Sequence, residues 1–289
     1  MSIESRTATT DSDGGESDAR SDSESAVGSD AGDAGASGAD RRAVDAASVV
    51  ASDLTKRYDE TLVFDGLDLS VAAGEVCCLL GPSGCGKTTL LHLLAGLEDP
   101  TGGRVEIGGE RVTGPDYRWG VVFQDPLLYP WLSVRENIEI GPRLRGEEPD
   151  PELVDELLAL VGLDGVADAD TSDLSGGMAQ RASLARTLAN EPDVLLLDEP
   201  FSALDQLTKM ELQDELLRIV DELGVTAVFV THDIDEAVYL GDRVAIMGTI
   251  PAGIEHVEQI DSETRERDDE AFLAERAATF ERLEAVGLE

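Results

Sequence analysis

Residues 81–88 read GPSGCGKT, with the apolar run EVCCLL (75–80) before them and KTTLLHLLAG, apolar at helical spacing, after them. No other feature limits the fold as strongly. A buried strand must enter this loop and a helix must leave it, which fits a βα unit of a parallel sheet. The glycines let successive backbone N–H groups converge on one anion without interference from Cβ atoms. The helix that starts near Gly86 points its positive end at the same place. Lys87 adds a mobile point charge for the β/γ-phosphates of a nucleotide, and the Thr88 hydroxyl can ligate Mg²⁺. Gly81, Pro82, Ser83, Gly84, Cys85, Gly86, Lys87, Thr88 and Thr89 form the candidate phosphate-binding set. The chain has three lysines, Lys56, Lys87 and Lys209, and one of them stands where a phosphate contact needs it.

A second apolar run, DVLLLDE (193–199), ends in two acids. Buried strands of a parallel sheet deliver the residues at their C-terminal ends to one crevice, beside the phosphate loop. Asp198 there can organise Mg²⁺ through its water shell, and Glu199 can orient and deprotonate an attacking water. TAVFVTHD predicts another buried strand, DIDEAVYLG a short helix and DRVAIMG a further strand. Upstream, VVASDLTKRY, FDGLDLSVAAG and GRVEIGG read as an antiparallel front end, and WGVVFQ as a strand. Residues 133–190 are mostly helical in pattern. TKMELQDELLRIVDELG predicts an amphipathic helix that buries Met210, Leu212, Leu216, Leu217, Ile219, Val220 and Leu223. The tail from Thr249 is charged and carries one closing helix, AFLAERAATFERLEA.

Charge narrows the partners. The chain of 289 residues holds 61 acids against 22 Lys and Arg, a formal net charge of −39. Sequence-independent nucleic-acid binding needs a dense basic surface that this chain lacks, so no nucleic-acid partner is expected. Acids spread along the whole chain with so few lysines fit a hydrated surface in a salt-loving cell, where salt screens self-repulsion. Residues 1–45, rich in Ser, Asp, Gly and Ala, are expected to be a disordered acidic tail. The start has neither a basic region nor an apolar core of a signal peptide, and no apolar run reaches the length of a membrane span. Cys77, Cys78 and Cys85 lack metal-ligand spacing, and the first two read as small buried hydrophobes.

DLSGGMAQRASLARTLANEP (173–192), together with GPSGCGKTT, VLLLDEP, SALD and THD, resembles the nucleotide-binding subunit of ABC transporters from about Val49 to Met247. The resemblance implies an α/β P-loop NTPase of ABC type, with a mostly parallel sheet core, an antiparallel β subdomain and a helical subdomain. Its bounds would be 46–248 for the ATPase domain, about 126–190 for the helical part, and 249–289 for a charged extension. It implies ATP and Mg²⁺ as cofactors and ATP hydrolysis coupled to solute translocation. It also implies roles for matched positions. Tyr58 would stack on adenine, with an ordinary structural tyrosine as the alternative. Gln124 would sense Mg²⁺ and the γ-phosphate, and His232 would contact that phosphate. Ser175, Gly176 and Gly177 would close over ATP held by a second subunit, with Asp205 at the seam. The implied partners are a second ATP-binding subunit, membrane permease subunits and an extracellular solute-binding protein, which places the chain at the cytoplasmic face of the membrane.

Met178 departs from the family's usual LSGGQ. With the PW of LLYPWLSVREN (127–137) and the R-x-R and AFL of the tail, it resembles the nitrate/sulfonate/taurine/bicarbonate importer branch. Leu127, Leu128, Tyr129 and Trp131 suit either a docking patch for the permease or packing between the helical block and the sheet. Importers of another class and a non-transport, mechanotransmitting ABC complex stay open as alternatives.

Overall fold

The structure, a computed structural model, describes residues 46–260, 267 and 269–286. The expected acidic tail over 1–45 lies outside the described residues, as does Arg265 of the R-x-R segment.

Two sheets organise the fold. The first has the order β2-β1-β4-β5, built from β1 (Val49–Tyr58), β2 (Thr61–Val71), β4 (Gly102–Ile107) and β5 (Glu110–Arg111), all antiparallel. The second has the order β10-β9-β3-β8-β7-β6. Its members β3 (Val76–Leu80), β6 (Trp119–Val122), β7 (Val194–Asp198), β8 (Thr226–Thr231) and β9 (Arg243–Met247) run parallel. An edge strand, β10 (Ile254–Gln259), runs antiparallel to β9.

Strands β3, β7 and β8 are buried at every position, because other elements pack on both faces of the parallel sheet. Alternation divides them between two cores. Val76, Cys78, Leu80, Leu195, Leu197, Ala227 and Phe229 face one side. Cys77, Leu79, Val194, Leu196, Val228 and Val230 face the other, towards the antiparallel sheet and α1 (Lys87–Leu94). All three cysteines are buried, and burial pushes the Cys77 thiol up to about 11, so it stays protonated and packs as a hydrophobe.

The helical block comprises α2 (Val134–Leu144), α3 (Pro151–Leu160) and α4 (Gly176–Leu188). Ser133 and Glu136 close a reciprocal capping box at the start of α2. Pro151 at the first helical position, after the Asp150 cap, opens α3. Helix α5 (Gln206–Leu223) is capped by Asp205, ends at the left-handed Gly224, and precedes α6 (Ile234–Leu240). It buries Leu212, Leu216, Leu217, Ile219 and Val220 as its pattern predicts, but also Gln213, which accepts a hydrogen bond from Arg267 at 3.1 Å. Met210 and Leu223, expected on that apolar face, are only half-buried.

The tail differs from a plain charged extension. Its first part, β10, completes the main sheet, so a boundary at 248 cuts between two paired strands. Alternation is weak there, IEHVEQ with Val257 exposed, which is why the segment does not read as a strand. Helix α7 (Glu270–Ala285) follows and packs on α6, with the Tyr239 and Phe272 rings edge to face at 6.4 Å.

Candidate active site

Parallel strands place four chemical groups along one edge of the sheet. The phosphate loop leaves β3, Gln124 follows β6, Glu199 follows β7 and His232 follows β8. They converge on a cavity of about 570 Å³ lined by Tyr58, Val63, Ser83, Gly84, Gly86, Lys87, Thr88, Thr89, Gln124, Glu199, His232 and Ile250. That volume lies in the range of about 300–1,000 Å³ typical of small-molecule sites.

Loop conformation explains the glycine at 86. It has φ 102, and a Cβ there would meet Val63 Cγ1 at 2.8 Å and Phe64 Cζ at 3.0 Å. The antiparallel sheet therefore packs directly against the loop. Lys87 is buried, and its ammonium donates to the carbonyls of Gly81 at 2.7 Å and Pro82 at 2.9 Å. Behind the loop lies Asp198, 4% exposed and hydrogen-bonded to Thr88. Burial raises its carboxyl above the ordinary value, with the Glu199 charge adding to the shift against the bond from Thr88.

Glu199 has φ 45, a left-handed conformation that costs a non-glycine residue of order 1 kcal/mol or more. Its N–H donates to Val230 O at 3.0 Å, and its carbonyl accepts from the Ser202 hydroxyl at 3.0 Å and the Ser202 N–H at 3.2 Å. Those bonds hold the turn. The carboxylate then meets His232 Nδ1 at 3.0 Å and Gln124 Nε2 at 3.5 Å, the latter at the limit of a hydrogen bond. The Gln124 loop is anchored in turn by buried Gln180, whose amide donates to Phe123 O at 2.9 Å.

Tyr58 lies at the cavity mouth, 42% exposed. Its hydroxyl donates to Glu98, which also pairs with Lys56 at 2.8 Å, and the Lys56 ammonium sits 4.7 Å from the ring centre. Lys56 holds one ring face by a cation–π contact. Desolvation first, then the bond to Glu98, raises the phenol.

Not every predicted residue lines this cavity. Gly81, Pro82 and Cys85 form the back of the loop, and Asp198 stands behind Thr88. Ser175, Gly176, Gly177 and Asp205 lie away from it within one chain. Ser175 caps α4, its hydroxyl accepting from Met178 N at 3.3 Å, and the Met178 side chain packs against the core beneath. Gly177 is pressed against the Asp205 segment: a Cβ there would lie 3.0 Å from Leu204 Cδ2 and 3.3 Å from Ala203 O. Sequence reasoning missed Val63 and Ile250. Val63 is one alternating apolar residue among many, and Ile250 reaches the cavity because Ala252 N donates to Val63 O at 2.6 Å.

A phosphate loop at a helix start, a buried aspartate behind its threonine and a glutamate–histidine pair at the same sheet edge define a P-loop nucleoside-triphosphate hydrolase. Residues 64–202 match the family model described as ABC transporter. The chain is 48% identical over 223 residues to the aliphatic sulfonates import ATP-binding protein SsuB 2 of Burkholderia cenocepacia (strain HI2424), covering 77% of this chain and 82% of that protein. It is 47% identical over 225 residues to SsuB 1 of Xanthomonas axonopodis pv. citri (strain 306), covering 76% and 88%. Among solved structures, it resembles the dimeric post-hydrolysis state of the ATP-binding cassette MJ0796 bound to ADP and Pi. The TM-score there is 0.68 at 31% identity, covering 73% of this chain and 98% of that one. The chain belongs to the ABC transporter family of ATP-binding proteins and is an ATPase.

Proposed function

We propose that this chain energises a membrane importer for a sulfonate-like anion, as the names of its relatives indicate for those proteins. In this reading two copies, or this chain and a close relative, sandwich two ATP molecules. Each nucleotide lies between Gly81–Thr88 of one copy and Ser175–Gly177 of the other, with Asp205 at the seam. The observation that carries the reading is the convergence of Lys87, Thr88, Gln124, Glu199 and His232 on one cavity that Ser175–Gly177 do not reach within their own chain. Half a site per chain requires a second copy, and the resemblance to a dimeric cassette supports one.

ATP is the substrate. Lys87 and the N–H groups of the loop bind its phosphates, and Tyr58 stacks on the base. The Thr88 hydroxyl, Asp198 through water and Gln124 would hold Mg²⁺, an ion usually bound by one or two protein groups plus phosphates and waters. Bound there, the ion would supply neutralisation of phosphate charge. Glu199, oriented by His232 and Gln124, orients the attacking water and takes its proton as the water oxygen bonds to the γ-phosphorus and the bond to ADP breaks. His232 faces the γ-phosphate from β8. Closure on ATP and opening after hydrolysis supply two states that a permease can read, with an extracellular binding protein delivering the solute.

The permease would dock on the segment after Gln124. Leu127 and Trp131 are 61% and 74% exposed, whereas Leu128 packs against the core, so the apolar cluster divides between surface and packing. Arg186 holds the loop by donating to Leu127 O at 2.8 Å and Pro126 O at 3.0 Å. Among the described residues no helix is long and apolar enough to cross a membrane, which fits a peripheral place at the cytoplasmic face.

Glu199→Gln tests the reading. It should lower ATP turnover by about 100-fold or more and yield an ATP-stabilised dimer on gel filtration. Full turnover in that variant removes Glu199 from the chemistry.

A further inference from the structure

Lys209 does not line the nucleotide cavity, yet it pairs with two carboxylates that follow His232, one of which accepts from the Thr231 hydroxyl just before it. It lies one turn into α5, its N–H donating at 2.9 Å to the carbonyl of Asp205, the cap of that helix. Its ammonium pairs with Asp233 Oδ2 at 2.7 Å and Glu236 Oε1 at 2.6 Å. Asp233 follows His232 directly and caps α6, with Oδ1 accepting from Asp235 N at 2.9 Å and Glu236 N at 3.4 Å. The Asp233 N–H donates to the Thr231 hydroxyl at 3.0 Å, and that hydroxyl donates to the Glu236 carboxylate. Thr231 and Asp233 flank His232, so both neighbours belong to one closed network.

We infer that Lys209 is a positioning residue for ATP hydrolysis, joining the His232 turn to the helix that begins at Asp205. The inference rests on the reading that His232 faces the γ-phosphate and Asp205 the seam between copies. The Lys209 and Glu236 side chains are 16% and 7% exposed, so the pair is largely out of water. Removing one partner from such a pair leaves an uncompensated charge. Here it leaves two carboxylates facing each other. Glu236 is enclosed; Asp233, 36% exposed, is the one able to turn towards solvent. Turning it breaks the cap of α6 and moves His232 away from Glu199. Because Lys209 touches neither the phosphate loop nor Tyr58, nucleotide binding does not depend on it. A shift at one copy's Asp205 is carried along α5 to its own His232, which couples the seam to the chemistry.

The test uses the full chain with three variants measured side by side: Lys209→Met, Lys209→Arg and His232→Ala. Lys209→Met should lower kcat about tenfold or more, the scale of a small misplacement of a reacting group, with KM for ATP and affinity for a fluorescent ATP analogue within twofold of the parent. Lys209→Arg should restore kcat, because a guanidinium also spans two carboxylates. Unchanged kcat in Lys209→Met overturns the inference. So does a parallel fall in kcat, analogue affinity and Tm, or failure of arginine to rescue. If Lys209→Met does not fold, Asp233→Asn, which keeps a capping side chain, must lower kcat at constant KM; normal kcat there overturns the inference equally. His232→Ala separates the two levels. Loss of turnover in His232→Ala beside full turnover in Lys209→Met sinks only the role of Lys209, whereas full turnover in His232→Ala sinks the reading of the site.

Discussion

At the scale of single residues, the sheet edge that borders the cavity is assembled from strained or buried groups held in part by backbone contacts. Glu199 keeps a left-handed backbone because Val230 and Ser202 bind both its N–H and its carbonyl. Glu98 plays the comparable part for Tyr58. Burial alone would raise its carboxyl, but the bonds from Lys56, Tyr58 and His92 outweigh that and hold it below the ordinary carboxylate range. Glu98→Ala should raise KM for ATP about fivefold, the worth of one net hydrogen bond of about 1 kcal/mol, with kcat unchanged in steady-state assays. The sign of its pH dependence follows from the depressed pKa. Its contribution to stability is complete above the ordinary carboxylate range and is lost as pH falls through that range to the lower folded value. Acid titration of Tm should therefore be flatter in Glu98→Ala than in the parent.

At the scale of elements, β10 and α7 fasten the back of the main sheet. Arg276 on α7 pairs with Asp235 on α6, the Thr279 hydroxyl donates to buried Glu258 on β10 at 3.0 Å, and Arg282 pairs with the same carboxylate. Arg267 stacks 3.5 Å from the centre of the Tyr239 ring and pairs with Asp214 on α5 at 2.9 Å. Since α6 begins just after His232, the extension braces the element that follows the His232 turn. Phe272, 7% exposed against Tyr239, is its apolar anchor. Phe272→Ala should cost about 3 kcal/mol of stability, read by denaturant unfolding, from lost burial and an unfilled cavity. Nucleotide affinity should be unchanged, since no residue of α7 lines the cavity.

At the scale of the whole molecule, the acid excess meets a surface almost without lysine. Lys56 and Lys87 are buried, and the Lys209 side chain is 16% exposed, so all three lysines serve contacts and none decorates the open surface. Exposed cations such as Arg218 and Arg143 are committed to neighbouring glutamates. With a net charge of −39, self-repulsion opposes the compact state until salt screens it. Raising KCl from about 0.1 M to about 2 M should lift Tm by roughly 10 °C, in contrast to the small response of a charge-balanced chain. A Tm independent of salt would refute this account of the composition.

The phosphate loop, Asp198 and Glu199 were legible in the sequence because each is local: a glycine spacing beside an apolar run, or two acids where such a run stops. The βα order, the antiparallel front end, the helical block and the closing helix followed from apolar runs and their periodicity, which are also local. Only the tertiary structure decided which residues share the cavity. Val63 and Ile250, far apart in the chain, meet because Ala252 bonds to β2. It divided Leu127 and Trp131 from Leu128, which alternation in a loop cannot do. It showed β10 as a member of the main sheet, and it joined Lys209 to the His232 turn across 24 residues. The physical reason is common to all of these. Propensity and spacing act over a few residues, whereas strand pairing, burial and ion pairing between distant segments depend on which surfaces the finished core brings together.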